Sequence, residues 1–344
     1  MATTNLQGKH IAIVACWFLG NGYLFSWNSI MTIEDYYSYL FPKHHSSRVL
    51  TLVYQPIALG TVAVLAYNEA KINTRRRNLF GDILFFISAL SVLVLNLATS
   101  GKGGLGPFIG ICIICVADDH VHGGMVGDLF FMQPVLIQSF LAGLGTSGTL
   151  SSALRLITKA VFENTRDGLR KGARPIPYPL LFLFPFIYLA DEDPKQLERL
   201  SNKELLHQNI DYALDVFLLY ALTLSIFPGF LSENTGSHSL DSFFLKCLRL
   251  ESRKGLMIAV LSQFLLIPAF YYTAKYGDQG WMIMLTSFLG LTNGYLTVRV
   301  LTSAPKGYKG PEQNALGNLL VLFLVGGTTA GVTLDWLWLI GEGW

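Results

Sequence analysis

Long apolar segments that are almost free of charge are the feature that most restricts how this sequence can fold. Residues 10–31 and 49–67 contain no Asp, Glu, Lys or Arg, and only 14% of the 344 residues are charged. A soluble domain usually carries about 25% charged residues. Because a helix of about 20 mostly apolar residues crosses a bilayer, these segments indicate a protein that spans the membrane many times.

Nine segments are predicted to span the membrane, and a tenth is uncertain. The uncertain segment, residues 176–190, is apolar but contains three prolines, which interrupt a helix. We therefore predict an all-α fold, a polytopic transmembrane helix bundle of about nine or ten spans in the lipid bilayer. The predicted spans are residues 10–31, 49–67, 79–98, 105–117, 135–162, 213–231, 256–274, 281–303 and 315–340.

Basic and polar residues predict the orientation and the domain boundaries. The basic residues between 71 and 77 form a short loop of the kind that stays in the cytoplasm, which places the N-terminus inside. The charged insert at residues 191–212 is predicted to be a cytosolic-type polar linker. It separates an N-terminal transmembrane bundle, residues 1–190, from a C-terminal one, residues 213–344. Residues 201–204 predict the start of a helix within this insert.

Several other functions lack the residues that they need. A net charge of +2 is too small for a protein that holds nucleic-acid phosphates, and four cysteines do not make a disulfide framework. The glycine-rich residues 101–106 lack the Lys-Ser/Thr of a phosphate loop, and no G-x-S-x-G motif of a hydrolase is present. We therefore expect no enzyme activity, no cofactor and no nucleic-acid partner.

Two clusters leave more than one interpretation open. Cys112 and Cys115 have the spacing of a metal or redox pair, but no second pair accompanies them, and a cysteine in an apolar run is usually a small core side chain. Residues 118–122, DDHVH, could contribute zinc ligands. No further cluster completes such a site, so we predict no metal and keep a loop cluster and a polar wall of a solute pathway as the competing interpretations.

The fifth predicted span carries both charges and many small residues. Arg155 and Lys159 lie on one helix face, four residues apart. Lys159 is close enough to the membrane surface to reach it, whereas Arg155 lies about one turn deeper and is a functional candidate. The small residues between 142 and 153 predict close helix packing, with the lining of a pathway as the alternative.

A set of ordered motifs runs through both halves of the chain. These are residues 17–20 (WFLG), 24–28 (LFSWN), 48–56 (RVLTLVYQP), 123–129 (GGMVGDL), 138–140 (QSF), 292–295 (TNGY) and 304–312 (APKGYKGPE). In these motifs the sequence resembles the equilibrative nucleoside transporter family, and in particular its plant branch, over most of its length.

The resemblance implies a structure, a function and a location. The implied fold has eleven helices, six plus five, related to the major facilitator fold. The implied function is passage of a nucleoside or nucleobase through a central cavity by alternating access, in a multi-pass protein of the plasma membrane, with protons as a further candidate partner. The candidate substrate-binding residues are Trp27, Asn28, Met31, Gln55, His122, Gln138 and Asn293.

The residue types in this set suit an uncharged solute with an aromatic base. Trp27 offers an aromatic face, and the four amides of the set offer donors and acceptors to the polar edge. Each buried amide has a second interpretation, a hydrogen bond between helices. His122 stands where the family usually has glutamine, and its hydrogen-bonding pattern changes as it titrates.

The sequence also departs from the family's pattern. The Asn…Asp-x-x-Gly-Arg signature of the eighth helix is missing, and between residues 231 and 256 the longest apolar patch is residues 242–245. These departures indicate internal deletions, and we expect nine full spans, weak stability and poor or absent transport. The competing hypothesis is a non-transporting remnant that associates with an intact relative.

Overall fold

The computed structural model describes the helical parts of the chain and divides them into two units. The described residues are 2–32, 46–72, 76–81, 134–162, 200–226, 252–276, 279–308 and 310–340, with shorter pieces at 83–84, 86–87, 90, 125–127, 129–130, 165, 168 and 171. One unit extends from Met1 to Leu197 and the other from Glu198 to Trp344. Every regular element in the described ranges is a helix, which confirms the predicted all-α fold.

Three long helices can be given with both ends among the described residues of the N-terminal unit. They are α1 (Ala2–Thr32), α2 (Ser46–Tyr67) and α3 (Pro134–Phe162), and a 3-10 turn, Glu69–Lys71, follows α2. The basic loop predicted at residues 71–77 begins at Lys71, the last residue of this turn.

Helices α1 and α3 run in the same direction and touch at the level of their backbones. Ser139 donates a hydrogen bond to the carbonyl oxygen of Ile13 at 2.6 Å. A Cβ atom on Gly20 would overlap the carbonyl oxygen of Phe140, and one on Gly143 would overlap that of Trp17. The small residues of the fifth predicted span therefore serve close packing, which was the first of the two interpretations.

The parallel direction of α1 and α3 constrains the chain between them. Two spans of the same direction need an odd number of membrane crossings in the connecting chain. The three spans predicted between them, residues 49–67, 79–98 and 105–117, meet this requirement.

The described residues of the C-terminal unit form six helices. They are α4 (Asn202–Gln208), α5 (Ile210–Ile226), α6 (Arg253–Gln263), α7 (Leu266–Tyr276), α8 (Gln279–Ser303) and α9 (Pro311–Ile340). The start of α4 confirms the helix start predicted at residues 201–204. Its first turn has a capping box in which Ser201 and Glu204 hydrogen-bond each other's backbone N–H. The hydrogen bonds from the side chain and the backbone of Ser201 hold the pKa of the Glu204 carboxyl below its ordinary value.

Helices α5 and α9 repeat the parallel close packing. A Cβ atom on Gly327 would overlap the carbonyl oxygen of Phe217, and one on Gly331 would lie 2.5 Å from that of Ala221. Both contacts advance by four residues on each helix, so the two helices run in the same direction.

The helix pair α6 and α7 also runs in the direction of α5, and α8 runs the opposite way. Arg253 contacts Gln208 and Asp211 at the start of α5, whereas Phe270 packs with Leu222 and Ile226 at its end. Met282, near the start of α8, belongs to the same cluster as Ile226.

Some of these helices have the length and hydropathy of membrane spans. Among the described residues, Arg253–Tyr276 and Pro311–Trp336 qualify, and the bent pair α4 and α5, with an angle of 77°, would make a third. The predicted total of nine or ten spans includes segments outside the described residues and stays a prediction.

Replacing Gly143 by alanine tests the backbone contact between α1 and α3. We expect Gly143→Ala to destabilise the N-terminal unit by about 1–3 kcal/mol, because the new methyl group must push α1 away from α3. Gly145→Ala is the matched control on the same helix, since a Cβ atom there meets open space. Thermal unfolding of the purified protein in detergent measures both, and equal effects of the two substitutions would contradict the proposed contact.

Candidate functional site

The candidate site of the N-terminal unit lies at the C-terminal part of α1. The rings of Trp27 and Tyr54 are 4.2 Å apart between centroids, with an angle of 37° between their planes. Both side chains are half-buried. The pair joins α1 to α2 and presents an aromatic surface, which suits stacking of a planar ring.

The residue next to this pair is fixed by α3. Asn28 donates a hydrogen bond from Nδ2 to Ser147 Oγ at 2.7 Å, and Ser147 donates in turn to the carbonyl oxygen of Leu144 at 2.6 Å. Gly148 lies beneath the amide, because a Cβ atom on it would be 3.7 Å from Asn28 Nδ2. This is the only described hydrogen bond of the Asn28 side chain, so its amide oxygen can still accept one from a solute.

Two further predicted residues lie on the same two helices. Gln55 follows Tyr54 directly on α2 and is buried, with 6% of its surface exposed. Met31 is half-buried one turn after Asn28. The structure therefore places Trp27, Asn28 and Met31 on α1, and Gln55 beside the aromatic partner of Trp27.

One predicted residue is not brought to this place, and another lies outside the described residues. Gln138 is exposed on α3 and lies nine residues before Ser147, about 13 Å along the helix axis. His122, the residue that departs from the family's glutamine, lies outside the described residues, as does the rest of the cluster at residues 118–122.

Asn293 belongs to the C-terminal unit, where its side chain joins helices. Its Nδ2 donates to Thr223 Oγ1 on α5, and its Oδ1 accepts a hydrogen bond from Thr297 Oγ1 at 3.1 Å. Only 8% of its surface is exposed. These contacts fit the second interpretation of a buried amide, a hydrogen bond between helices.

Sequence reasoning missed residues that the structure brings to the site. Tyr54 stands directly before Gln55, and Ser147 was only one of many small residues in its span. The hydrogen bond between Asn28 and Ser147 joins residues 119 apart in the sequence, so local spacing gives no signal for it. Tyr54, by contrast, could have been found as an aromatic residue within a recognised motif.

The buried stripe of α3 continues from Ser147 to a cation. Ser147, Ser151, Arg155 and Thr158 are all buried and follow helical spacing, whereas Lys159 is exposed. This difference is one of burial against other helices, and the predicted difference in membrane depth between Arg155 and Lys159 stays a prediction. A buried arginine on the face that carries the Asn28 contact extends the polar stripe by two turns.

Another polar group of α1 lies close to α3. Asn21 is 1% exposed, and its Oδ1 has no hydrogen-bond partner among the described residues. It stands seven residues, or about two turns, before Asn28, so the two amides share a helix face. Composition gave no reason to select Asn21 over the other polar residues of this span.

Comparison with known proteins identifies relatives along the whole chain. Equilibrative nucleotide transporter 3 of Arabidopsis thaliana is 54% identical, and the match covers 98% of this chain and 96% of the relative. Transporter 6 of the same plant is 50% identical with the same coverage. Transporter 1 is 30% identical over 96% of this chain and 86% of the relative. No family model matches the chain.

The chain belongs to the plant equilibrative nucleotide transporter family. This membership confirms the resemblance to the plant branch that the motifs indicated. The match to transporter 3 extends over 403 residues, more than the 344 residues of this chain. The relative therefore has residues inside the matched region that have no counterpart here, which confirms the predicted internal deletions.

A solved structure confirms the architecture of this family member. The crystal structure of the fucose:proton symporter of E. coli matches with a TM-score of 0.53 and 10% sequence identity, and the match covers 96% of this chain and 92% of the symporter. At this identity the likeness concerns the fold alone. It confirms an all-α, major-facilitator-like bundle.

The relatives and the fold together establish the broad class. The chain is an integral, multi-pass membrane protein and a transporter, and it is not an enzyme. Among the described residues, no group of three or more His, Cys, Asp or Glu side chains is arranged to hold a metal ion.

Replacing Ser147 by alanine tests how the candidate amide is held. We expect Ser147→Ala to lower the free energy of unfolding by about 0.5–1.5 kcal/mol, because Asn28 loses its described acceptor. Ser152→Ala, an exposed position on the same helix, should have almost no effect. Thermal unfolding in detergent compares them, and an unchanged Ser147→Ala protein would show that this hydrogen bond does not hold the amide.

Proposed function

We propose that this chain carries nucleosides or nucleobases across a membrane by alternating access. The observation that carries the proposal is the contact between the tilted rings of Trp27 and Tyr54, beside an amide, Asn28, that a hydrogen bond to Ser147 holds in one orientation. The names of the relatives, which refer to nucleotides, support a substrate of this chemical class.

The chemistry of such a solute matches these groups. A nucleobase has a planar aromatic ring that stacks on an indole or phenol ring, and each stacking contact is worth about 1–3 kcal/mol. Its polar edge needs a donor and an acceptor at fixed positions, which the amides of Asn28 and Gln55 supply. An uncharged sugar and base need no cation for binding.

The plasma membrane and a proton partner belong to the same proposal. A multi-pass transporter that takes up nucleosides from outside the cell acts at the plasma membrane. The structural neighbour is named a proton symporter, which supports protons as a co-transported partner.

Uptake of radiolabelled adenosine or uridine into cells that lack nucleoside transport tests the proposal. We expect uptake that is saturable but slow, in keeping with the poor transport predicted from the deletions. We expect Trp27→Ala to raise KM by about tenfold or more because a stacking contact is lost. Trp27→Phe should retain most of the affinity. Phe18→Ala, an exposed aromatic residue on the same helix, is the control. An unchanged KM in Trp27→Ala would show that the aromatic pair does not bind the solute.

A second candidate function is favoured by the direction of the helices in the C-terminal unit. Helices α5 and α6 run in the same direction. The chain leaves α5 at Ile226, but α6 begins at Arg253 near the opposite end of α5, about 25 Å away along the helix axis. A membrane protein needs one crossing between two such helices. Residues 227–252 contain no apolar stretch of span length, so the sequence does not supply this crossing.

This conflict supports the hypothesis of a non-transporting remnant. If residues 227–252 do not cross the membrane, every helix from α6 to α9 is inserted with its direction reversed. In that orientation these helices cannot pack on α5 as the structure describes. The contacts of Arg253 with Asp211 and of Asn293 with Thr223 would then be lost. A chain of this kind would act, if at all, by association with an intact relative whose helices cover its unpaired faces.

Two cysteine substitutions distinguish the two candidate functions. The native cysteines are first replaced by serine, and one cysteine is then introduced at a time, as Lys203→Cys or as Gln279→Cys. Position 203 lies before α5, and position 279 lies at the start of α8. We expect a thiol reagent that does not cross the membrane to label the two from opposite sides if the helices pack as described. Labelling from the same side, with co-purification of an intact relative and no uptake, would establish the remnant.

A further inference from the structure

A buried carboxyl group in the C-terminal unit has no described partner. Asp215 on α5 is 0% exposed, and neither Oδ1 nor Oδ2 accepts a hydrogen bond from any described residue. It belongs to the buried face of α5, which also carries Tyr212, Val216 and Leu219. Neither the candidate substrate site nor the helix contacts described above use this group.

A described cation that contacts this part of α5 is engaged one turn away. Arg253 at the start of α6 pairs with Asp211 at 3.3 Å, donates to the carbonyl oxygen of Gln208 at 3.0 Å, and lies 4.6 Å above the ring centre of Tyr212. Asp211 and Asp215 are four residues apart and therefore share a face of α5. A cation that pairs with Asp211 is about one helical pitch, roughly 5.4 Å, from the level of Asp215.

The other helices that pack on α5 bring no described donor to Asp215. Opposite this level, the register set by Gly327 and Gly331 places the apolar Val325 of α9. None of the titratable side chains of the neighbouring elements hydrogen-bonds to Asp215. These are Lys203, Glu204 and His207 on α4, Tyr220 on α5, Lys254 on α6, Tyr271, Tyr272, Lys275 and Tyr276 on α7, Tyr295 and Arg299 on α8, Lys306 and Tyr308 in the turn after α8, and Glu312 and Asp335 on α9.

An ionised carboxylate in such surroundings is strongly unfavourable. Its negative charge has lost water and has gained neither a hydrogen-bond donor nor a cation. A carboxyl group in a membrane protein therefore pairs, lines a water-filled path or takes up a proton, and intramembrane acids of this kind form proton relays. No described residue pairs with Asp215, and its side chain is 0% exposed in the described packing, so these surroundings favour the third of these roles.

We propose that Asp215 is a proton-binding site of the C-terminal unit, with Arg253 as the cation that replaces the proton. In the packed arrangement the carboxyl group is neutral and Arg253 pairs with Asp211. When the O–H bond of Asp215 breaks, the proton leaves to water at the half-exposed Asp211 side, and Arg253 moves one turn along α5 to pair with the new carboxylate. Loss of the proton thus changes the contact between α5 and α6.

This site gives the proposed transport function a place for proton coupling. A proton taken up at Asp215 favours the described packing of α6 on α5, and its release favours another arrangement of the same helices. The coupling rests on the proposed transport function, whereas proton binding by Asp215 does not.

Infrared spectroscopy tests proton binding without any transport. The full chain is purified in detergent, and spectra of the wild-type protein, Asp215→Asn and Asp211→Asn are compared at about pH 7. We expect the C=O stretch of a protonated buried carboxyl group in the wild type and in Asp211→Asn, and its loss in Asp215→Asn. The proposal is overturned if the wild type and Asp215→Asn have the same carboxyl bands. Should the asparagine variant fail to fold, Asp215→Ser supplies the same comparison.

Uptake at two pH values tests the coupling. We expect wild-type uptake to be several-fold faster at acidic than at neutral external pH, and uptake by Asp215→Asn to be independent of pH. An unchanged pH dependence in Asp215→Asn would overturn the coupling. If the wild type shows no uptake at all, the proposed function fails, and the infrared result still decides whether Asp215 binds a proton.

Discussion

Direct contact between the backbones of parallel helices is the interaction on which the rest of this structure depends. In lipid there is no hydrophobic force that favours one helix contact over another, so close packing and interhelical hydrogen bonds decide which helices meet. Gly20 and Gly143 let α1 and α3 approach until a methyl group would no longer fit. That approach is what brings Asn28 within hydrogen-bonding distance of Ser147.

The C-terminal unit uses the same device at another pair of helices. Gly327 and Gly331 bring α9 onto α5 in the same direction, and α8 is tied to α5 through Asn293. Within this framework Asp215 is enclosed by helices that offer it no described donor. The close packing that stabilises the unit is therefore also what gives this carboxyl group its unusual surroundings.

The deletions have a physical cost that the helix contacts make visible. Each long helix makes the hydrogen bonds of its own backbone N–H and C=O groups. A chain that crosses the membrane and returns must do so in a second segment that also makes its backbone hydrogen bonds internally. Helices α5, α6 and α9 share one direction, and the sequence between α5 and α6 has no apolar segment of span length. The helix contacts of the C-terminal unit thus require a membrane crossing between α5 and α6, whereas the hydropathy of the shortened chain provides none.

The sequence by itself determined the membrane environment and the family, because these depend on composition and on ordered motifs that are read along the chain. Only the tertiary structure decided that Asn28 meets Ser147, that Asn293 joins helices, and that Asp215 has no described partner. The reason is that periodicity shows which face of a helix is buried, whereas the partner on that face comes from another part of the chain and is selected by packing.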